Sequence, residues 1–338
     1  MNSLPSPPRI REVADVDFAR FHEEIRPARV PVVMRGLVGD WPAVAAARQG
    51  DAAIAQYLIE CAPQQPVNGI AAPPEEDGRF FYNRELTGFN FRQARGRLED
   101  FLRDLVKLKE AECPPALAVQ SEVIPEVMPR FGEANRLALL PDVAPRIWIG
   151  NRIRVAPHYD LKENIACCVA GRRRFTLFPP EQVANLYSGP FELTPAGTPV
   201  SMVDPQAPDL DRYPRFAEAW KHAQQAELGP GDALYIPYTW WHGVESLEPV
   251  SILVNYWWAD APEGVAPPYD ALLHAIYAFR HLPAGDRAVW RTMLDHYVFE
   301  ANGDPADHLP DHAKGIMGPP SAGLFARMKA TLKQIAGA

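Results

Sequence analysis

The sequence predicts a mainly β chain with helical additions: a jelly-roll or antiparallel-barrel core, α/β elements before it and helices after it. Two observations carry that reading. Between about residues 145 and 260 the segments RIWIGN, RIRVAP, NIACCVA, RRFTLFP, DALYIP and VSILVNYWW occur, each short, rich in β-branched and aromatic residues, and bounded by Gly, Pro or Asn. Short, regularly spaced strands of this kind build closed or doubled antiparallel sheets. Proline, moreover, accounts for 36 of the 338 residues, about twice the usual share. The prolines are scattered, which suits many turns and short strands rather than long helices.

The elements follow in order. VADVDFARFHEEI spaces Val13, Val16, Phe18, Phe21 and Ile25 as a short amphipathic helix does. PVVMRGLVGDW reads as a buried strand entering a glycine-marked turn. LEDFLRDLVKLKEA, residues 98–111, aligns Leu98, Phe101, Leu102, Leu105 and Leu108 on one helical stripe. Within the β region, 181–229 reads as a proline-containing insertion with a helical piece, PRFAEAWKHAQQAEL. Past residue 267 helical stripes return, at Leu272, Leu273, Ile276 and Phe279, then at Val289 to Val298, then at Leu324, Met328, Leu332 and Ile335. The expected organisation is one domain over 1–262, with its barrel at 145–260, and a helical segment over 263–338 that docks on that domain or pairs with a second chain.

Bulk properties remove several function classes. A formal net charge of −8 and a pI near 5.6 argue against a surface built to track nucleic-acid phosphates. No apolar run approaches the ~18 residues of a membrane span, and MNSLPSPPRIREV lacks the apolar stretch of a signal peptide. Cys61, Cys113, Cys167 and Cys168 show no CxxC spacing and read as reduced thiols. The expectation is a cytoplasmic protein with no membrane partner.

The chemistry begins at APHYDLKEN. On a strand His158 and Asp160 point to one side. Alone an H-x-D is weak, since a surface strand end with two polar residues serves as well. A second histidine strengthens it: in GPGDALYIPYTWWHGVE, His242 follows a tight turn, an apolar strand and two tryptophans. Two histidines and one carboxylate carried by strands of one barrel make the facial triad suited to non-heme Fe(II), with three positions left open. A 2-oxoglutarate co-substrate chelating that iron needs a buried cation for its far carboxylate. In GRRRFTLFPP, Arg173 shares a strand face with Phe175 and Leu177, so it is the arginine expected to point inward. Three solvated arginines on a hairpin are the alternative. No Arg or Lys occurs from 243 to 260 to take the role instead.

At this point the residues resemble a known family. PVVMRGLVGDWPA, RIWIGN, HYDLKENIACCVAGRRRFTLFPPEQ, PGDALYIPYTWWHGVES and LVNYWW are similar to the cupin-like, JmjC-type Fe(II)/2-oxoglutarate-dependent oxygenases, close to the group that contains the asparaginyl hydroxylase of hypoxia-inducible factor. The resemblance implies a double-stranded β-helix (cupin) core and a hydroxylase-type dioxygenase. It implies His158, Asp160 and His242 as iron ligands and catalytic centre, and Arg173 as the partner of 2-oxoglutarate. Asn164, Asn255 and Trp257 fall at co-substrate pocket positions, and Tyr82 in FFYNREL matches a tyrosine that also reaches the co-substrate. Val155 stands where relatives carry a threonine, and Arg173 where they carry a lysine. The expected partners are 2-oxoglutarate, O2, a peptide or small-molecule substrate, and a second copy of the chain through the C-terminal helices. A non-catalytic cupin-like protein that holds a metal or small acid is the alternative.

Overall fold

The computed structural model describes residues 4–61 and 65–336. Among the described residues, fourteen strands form two sheets: β1 (Glu12–Ala14), β2 (Val32–Arg35), β3 (Pro66–Ala72), β4 (Arg79–Phe80), β5 (Arg92–Arg97), β6 (Ala116–Val123), β7 (Pro145–Gly150), β8 (Arg154–Tyr159), β9 (Glu163–Ala170), β10 (Arg173–Phe178), β11 (Gln224–Leu228), β12 (Ala233–Ile236), β13 (Trp241–Ser246) and β14 (Ser251–Trp258). The larger sheet has nine strands in the order β1-β2-β12-β9-β14-β7-β6-β3-β5, and the smaller has five in the order β11-β10-β13-β8-β4. This is the mainly β architecture with a jelly-roll core that the sequence predicts.

Alternation within the strands sorts the core into layers. One cluster unites both sheets through Val33, Ala166, Cys168, Phe175, Leu177, Leu234, Val244 and Leu253. A second covers the outer face of the large sheet, where Ile147, Ile149, Ile165, Cys167 and Val254 meet Val44 and Leu58 of helices Pro42–Gln49 and Asp51–Cys61, and Leu102 and Leu105 of helix Leu98–Leu108. The adjacent thiols Cys167 and Cys168 thus face opposite layers, as the two-residue period of a strand requires. All four cysteines are free. No described helix is long and apolar enough to cross a membrane.

Three elements differ from the sequence expectation. The first amphipathic segment is not helical from Val13. Residues 12–14 pair in parallel with β2, and helix begins only at Phe18, after Asp17 accepts the Arg20 N–H at 2.8 Å. The helical piece in the insertion stops at Lys221. Gln224–Leu228 instead pairs with β10, because Ala226 and Leu228, two apart, both bury against the sandwich interior. The large sheet also extends through β6, β3 and β5, none of which the hydrophobic pattern announced. In β5, RQARGR, every residue is exposed.

The hairpin between β9 and β10 turns at Gly171, at φ +70°. A Cβ there would stand 2.5 Å from the Val250 carbonyl oxygen, so only glycine fits. That turn sets which residues of β10 face inward.

Contacts within the chain fall into two groups, 1–258 and 259–338. The second contains helices Pro268–Phe279, Ala284–Tyr297 and Ala322–Ala336.

Candidate metal centre

His158 and His242 are directly opposed across the antiparallel pair β8–β13, and their ring centroids lie 4.4 Å apart. Each Nδ1 lies 3.0 Å from the carbonyl oxygen two residues earlier, Ala156 for His158 and Trp240 for His242. A carbonyl can only accept, so each Nδ1 carries the proton and each Nε2 keeps its lone pair for a ligand. Burial, followed by the neighbouring His242 ring, pushes the His158 pKa down to about 4, which keeps this imidazole neutral at physiological pH.

Asp160 follows immediately after β8, its backbone carbonyl accepting from the Thr239 N–H at 3.2 Å in the turn that precedes β13. Its Oδ2 lies 3.6 Å from His242 Nε2. One ligand atom from each of His158, Asp160 and His242 falls within 4.8 Å of the others, and among the described residues this is the group of metal-binding type. Asn164 Nδ2 donates to Asp160 Oδ2 at 3.2 Å, and Asn255 Nδ2 donates to Asn164 Oδ1 at 2.8 Å. This chain of amides holds the carboxylate from behind.

The three residues line a cavity of about 370 Å³, together with Asn164, Arg173, Asn255, Trp257, Val155 and Trp148. Of the three consecutive arginines, Arg172 pairs with Glu248 and Arg174 with Glu227 and Glu245. Arg173 is 4% exposed. Its Nε donates to Ser251 Oγ at 2.9 Å, while its Nη2 is buried with no partner. Burial lowers its pKa to about 10, so a full positive charge faces the cavity at neutral pH. Along β10, Arg173 stands four residues from Leu177, the partner of His242. That is about 13 Å of strand, a span that an extended guanidinium side chain and a short dicarboxylate can cover between them.

Val155 presents only methyl groups to this space. Trp148 and Trp257 meet edge to face at 6.0 Å, and each Nε1–H is buried without a partner. The Asn255 Oδ1 is likewise unpartnered. Buried polar atoms without partners cost stability, so this wall is chemically unfinished on its own: the two indoles call for acceptors and the Asn255 carbonyl for a donor.

Tyr82 is not among the residues that line the cavity. It packs with Ala156 and Val200, and its buried hydroxyl has no partner. Of the aromatic residues flanking His242 and closing β14, Trp257 lines the cavity. Trp240 belongs to the sandwich interior, Trp241 packs on Tyr159 under the insertion, and Tyr256 and Trp258 join the helix-covered layer. Trp148, Gln120 and Ser121, and Pro195 and Ala196 of the insertion line the cavity without having been anticipated. Trp148 had a signal: it alternates with Ile147 and Ile149, which face the helices, so it must face the other way.

The sequence matches the family model of the cupin-like domain over residues 18–264. The chain belongs to the cupin-like domain family. Among curated proteins this cupin-like chain is 41% identical to human HSPB1-associated protein 1 over 96 residues, 28% of this chain and 19% of that protein. It is 37% identical to the lysine-specific demethylase JMJ31 of Arabidopsis thaliana over 105 residues, 31% of this chain and 19% of the relative. It is 36% identical to the tRNA wybutosine-synthesizing protein 5 of Gallus gallus over 105 residues, 31% and 30% of the two chains. The matches span less than a third of each of these relatives.

Proposed function

We propose that this cupin-like protein is an Fe(II)- and 2-oxoglutarate-dependent oxygenase of the hydroxylase type. The observation that carries the reading is one cavity bordered by the His158–Asp160–His242 cluster and, four residues along the adjoining strand, by the buried cation Arg173. The residues fit the groups they would hold. Two neutral imidazoles with free Nε2 atoms and one carboxylate are the donor set for Fe(II) with open positions, and the orphaned Arg173 Nη2 lacks an acceptor that a carboxylate would supply. When bound, iron and 2-oxoglutarate supply the oxidising chemistry: O2 is consumed, the keto acid is split to succinate and CO2, and one oxygen atom passes to each of succinate and substrate.

The protein's own part is positioning. His158, Asp160 and His242 fix the metal on one side only, and Asn164 holds Asp160 in place. Arg173, steadied by Ser251, sets the direction of the dicarboxylate before O2 enters. Trp148, Trp257 and Val155 limit water around the reacting atoms. With Val155 in place of a hydroxyl, the guanidinium and the two indole N–H groups carry the polar recognition.

The reading extends to the whole chain. We take 1–262 as the oxygenase domain and 263–338 as a helical segment through which two copies pair, in the cytoplasm, with a peptide or small molecule as substrate. Pairing is supported by Leu272, Leu273, Tyr277, Val289, Trp290 and Met293, all at least 41% exposed on the C-terminal helices. Light scattering would give twice the 37.6 kDa chain mass; a single-chain mass contradicts pairing.

Anaerobic addition of 2-oxoglutarate to the Fe(II)-loaded protein tests the main reading. A weak visible charge-transfer band is expected. Iron binding without that band, and without effect of the keto acid, would instead mark a cupin-like protein that holds a metal without this co-substrate.

A further inference from the structure

β5 is the outermost strand of the nine-stranded sheet, and among the described residues no further strand pairs with it. Its six residues, RQARGR, are all exposed. An edge of this kind leaves a row of N–H and C=O groups open to another chain. Edges are commonly blunted by shortness, bulges, proline or charge; β5 carries charge, but its register with β3 runs unbroken from Arg92 to Arg97. Its charge is also of one sign. Residues 84–97 contain Arg84, Arg92, Arg95 and Arg97 against the single acid Glu85, on a chain whose net charge is −8. Arg97 is met by Glu99 at 2.6 Å, and Arg95 Nη2 reaches only the Pro66 carbonyl at 3.3 Å.

The register ties this edge to the cavity. Ile70 of β3 pairs with Gln93 on one side and with Ala118 of β6 on the other. Directly opposed residues share a face, so Gln93, Arg95 and Arg97 stand on the face of the sheet that carries Ala118. Ala118 and Gln120 line the cavity. With neighbouring strands about 4.8 Å apart, a chain added to β5 would lie about 14 Å from β6, or four to five extended residues.

We propose that β5 is a docking edge for an acidic, extended peptide segment, which adds to the sheet as a further strand and binds Arg95 and Arg97, on the face that carries Ala118, through its carboxylates. The segment lies about five residues from the side chain presented to the cavity. Calling that peptide a substrate rests on the oxygenase reading; the docking itself does not. Main-chain pairing favours a peptide over a nucleic acid, which would use the arginines but leave the open N–H and C=O row unpaired.

The test is fluorescence anisotropy of labelled TEVEVET with the full chain, beside the charge-reversed TKVKVKT and a single-stranded RNA oligonucleotide. TEVEVET should bind and weaken as salt is raised, and β5 amides should become protected from hydrogen exchange. The double variant R95E/R97E should lose at least tenfold in affinity for TEVEVET and gain affinity for TKVKVKT, with Fe(II) affinity and thermal midpoint unchanged. No binding of TEVEVET, binding indifferent to the double variant, absent protection of β5, or tighter binding of the RNA through the same arginines would each overturn the proposal. Intact peptide binding in a protein that forms no succinate would sink the oxygenase reading alone.

Discussion

His158 and His242 face each other across β8 and β13 with ring centroids 4.4 Å apart, each Nδ1 tied to a backbone carbonyl two residues upstream. The backbone therefore fixes both tautomers before any ligand arrives. On the proposed assignment, replacing either residue removes a ligand without leaving a buried charge unpaired. His158→Ala and His242→Ala should each weaken Fe(II) binding at least a hundredfold, with a thermal midpoint within about 5 °C of the parent. Calorimetric titration with Fe(II) under anaerobic conditions reads the first and differential scanning calorimetry the second. Retained iron affinity in both variants would refute the ligand assignment.

Asn164 touches Asp160 and not the metal position. Residues that orient a ligand typically change metal affinity ten- to a hundredfold when lost. Asn164→Ala is expected to weaken Fe(II) by about tenfold, less than loss of either histidine. An effect as large as that of His158→Ala would make Asn164 structurally indispensable rather than a positioning residue.

Arg173 is a buried cation with a hydroxyl but no carboxylate against it. In the protein without ligand it costs stability, and Arg173→Met should raise the thermal midpoint while weakening 2-oxoglutarate by about a hundredfold and leaving Fe(II) affinity unchanged. The sign with pH follows from the lowered pKa. Because the folded-state value of about 10 lies below the ordinary 12.5, the unfolded chain holds the proton more tightly. The penalty is then complete below about pH 10 and is relieved only above it. The stability gap between Arg173→Met and the parent should stay constant from pH 6 to 9. A gap that closes within that range would place another titrating group against Arg173.

Val155 lines the cavity on β8, opposite Val244. Val155→Thr adds a donor where an acceptor-rich co-substrate is expected, and one neutral hydrogen bond is worth about 1 kcal/mol. A tightening of 2-oxoglutarate by three- to tenfold should appear in its dissociation constant. Unchanged or weaker binding would mean that the keto acid does not approach β8.

The strands that carry the site are legible as short, nearly continuous apolar runs. NIACCVA is buried on both faces and RRFTLF at every position but Arg174, and Arg173 stands out from its neighbours by its companions Phe175 and Leu177. The rest of the wall was hidden for physical reasons. β5 contains no apolar side chain beyond the methyl of Ala94 and is a strand only because β3 lies beside it. Gln224–Leu228 has helix-favouring residues, and pairing with β10 overrides them. Gln120 and Ser121 reach the cavity at an irregularity of β6, where the register with β7 shifts between Val119 and Glu122, a feature that no periodicity encodes. Trp257 and Trp258, adjacent on β14, face opposite layers, so only Trp257 reaches the cavity.

The central claim is that this cavity couples cleavage of 2-oxoglutarate to O2. The most direct measurement is mass spectrometry of succinate after incubation of the Fe(II)-loaded protein with 2-oxoglutarate under 18O2. Succinate carrying one 18O atom, abolished by His158→Ala, is the predicted result; no succinate, or succinate free of label, would contradict it.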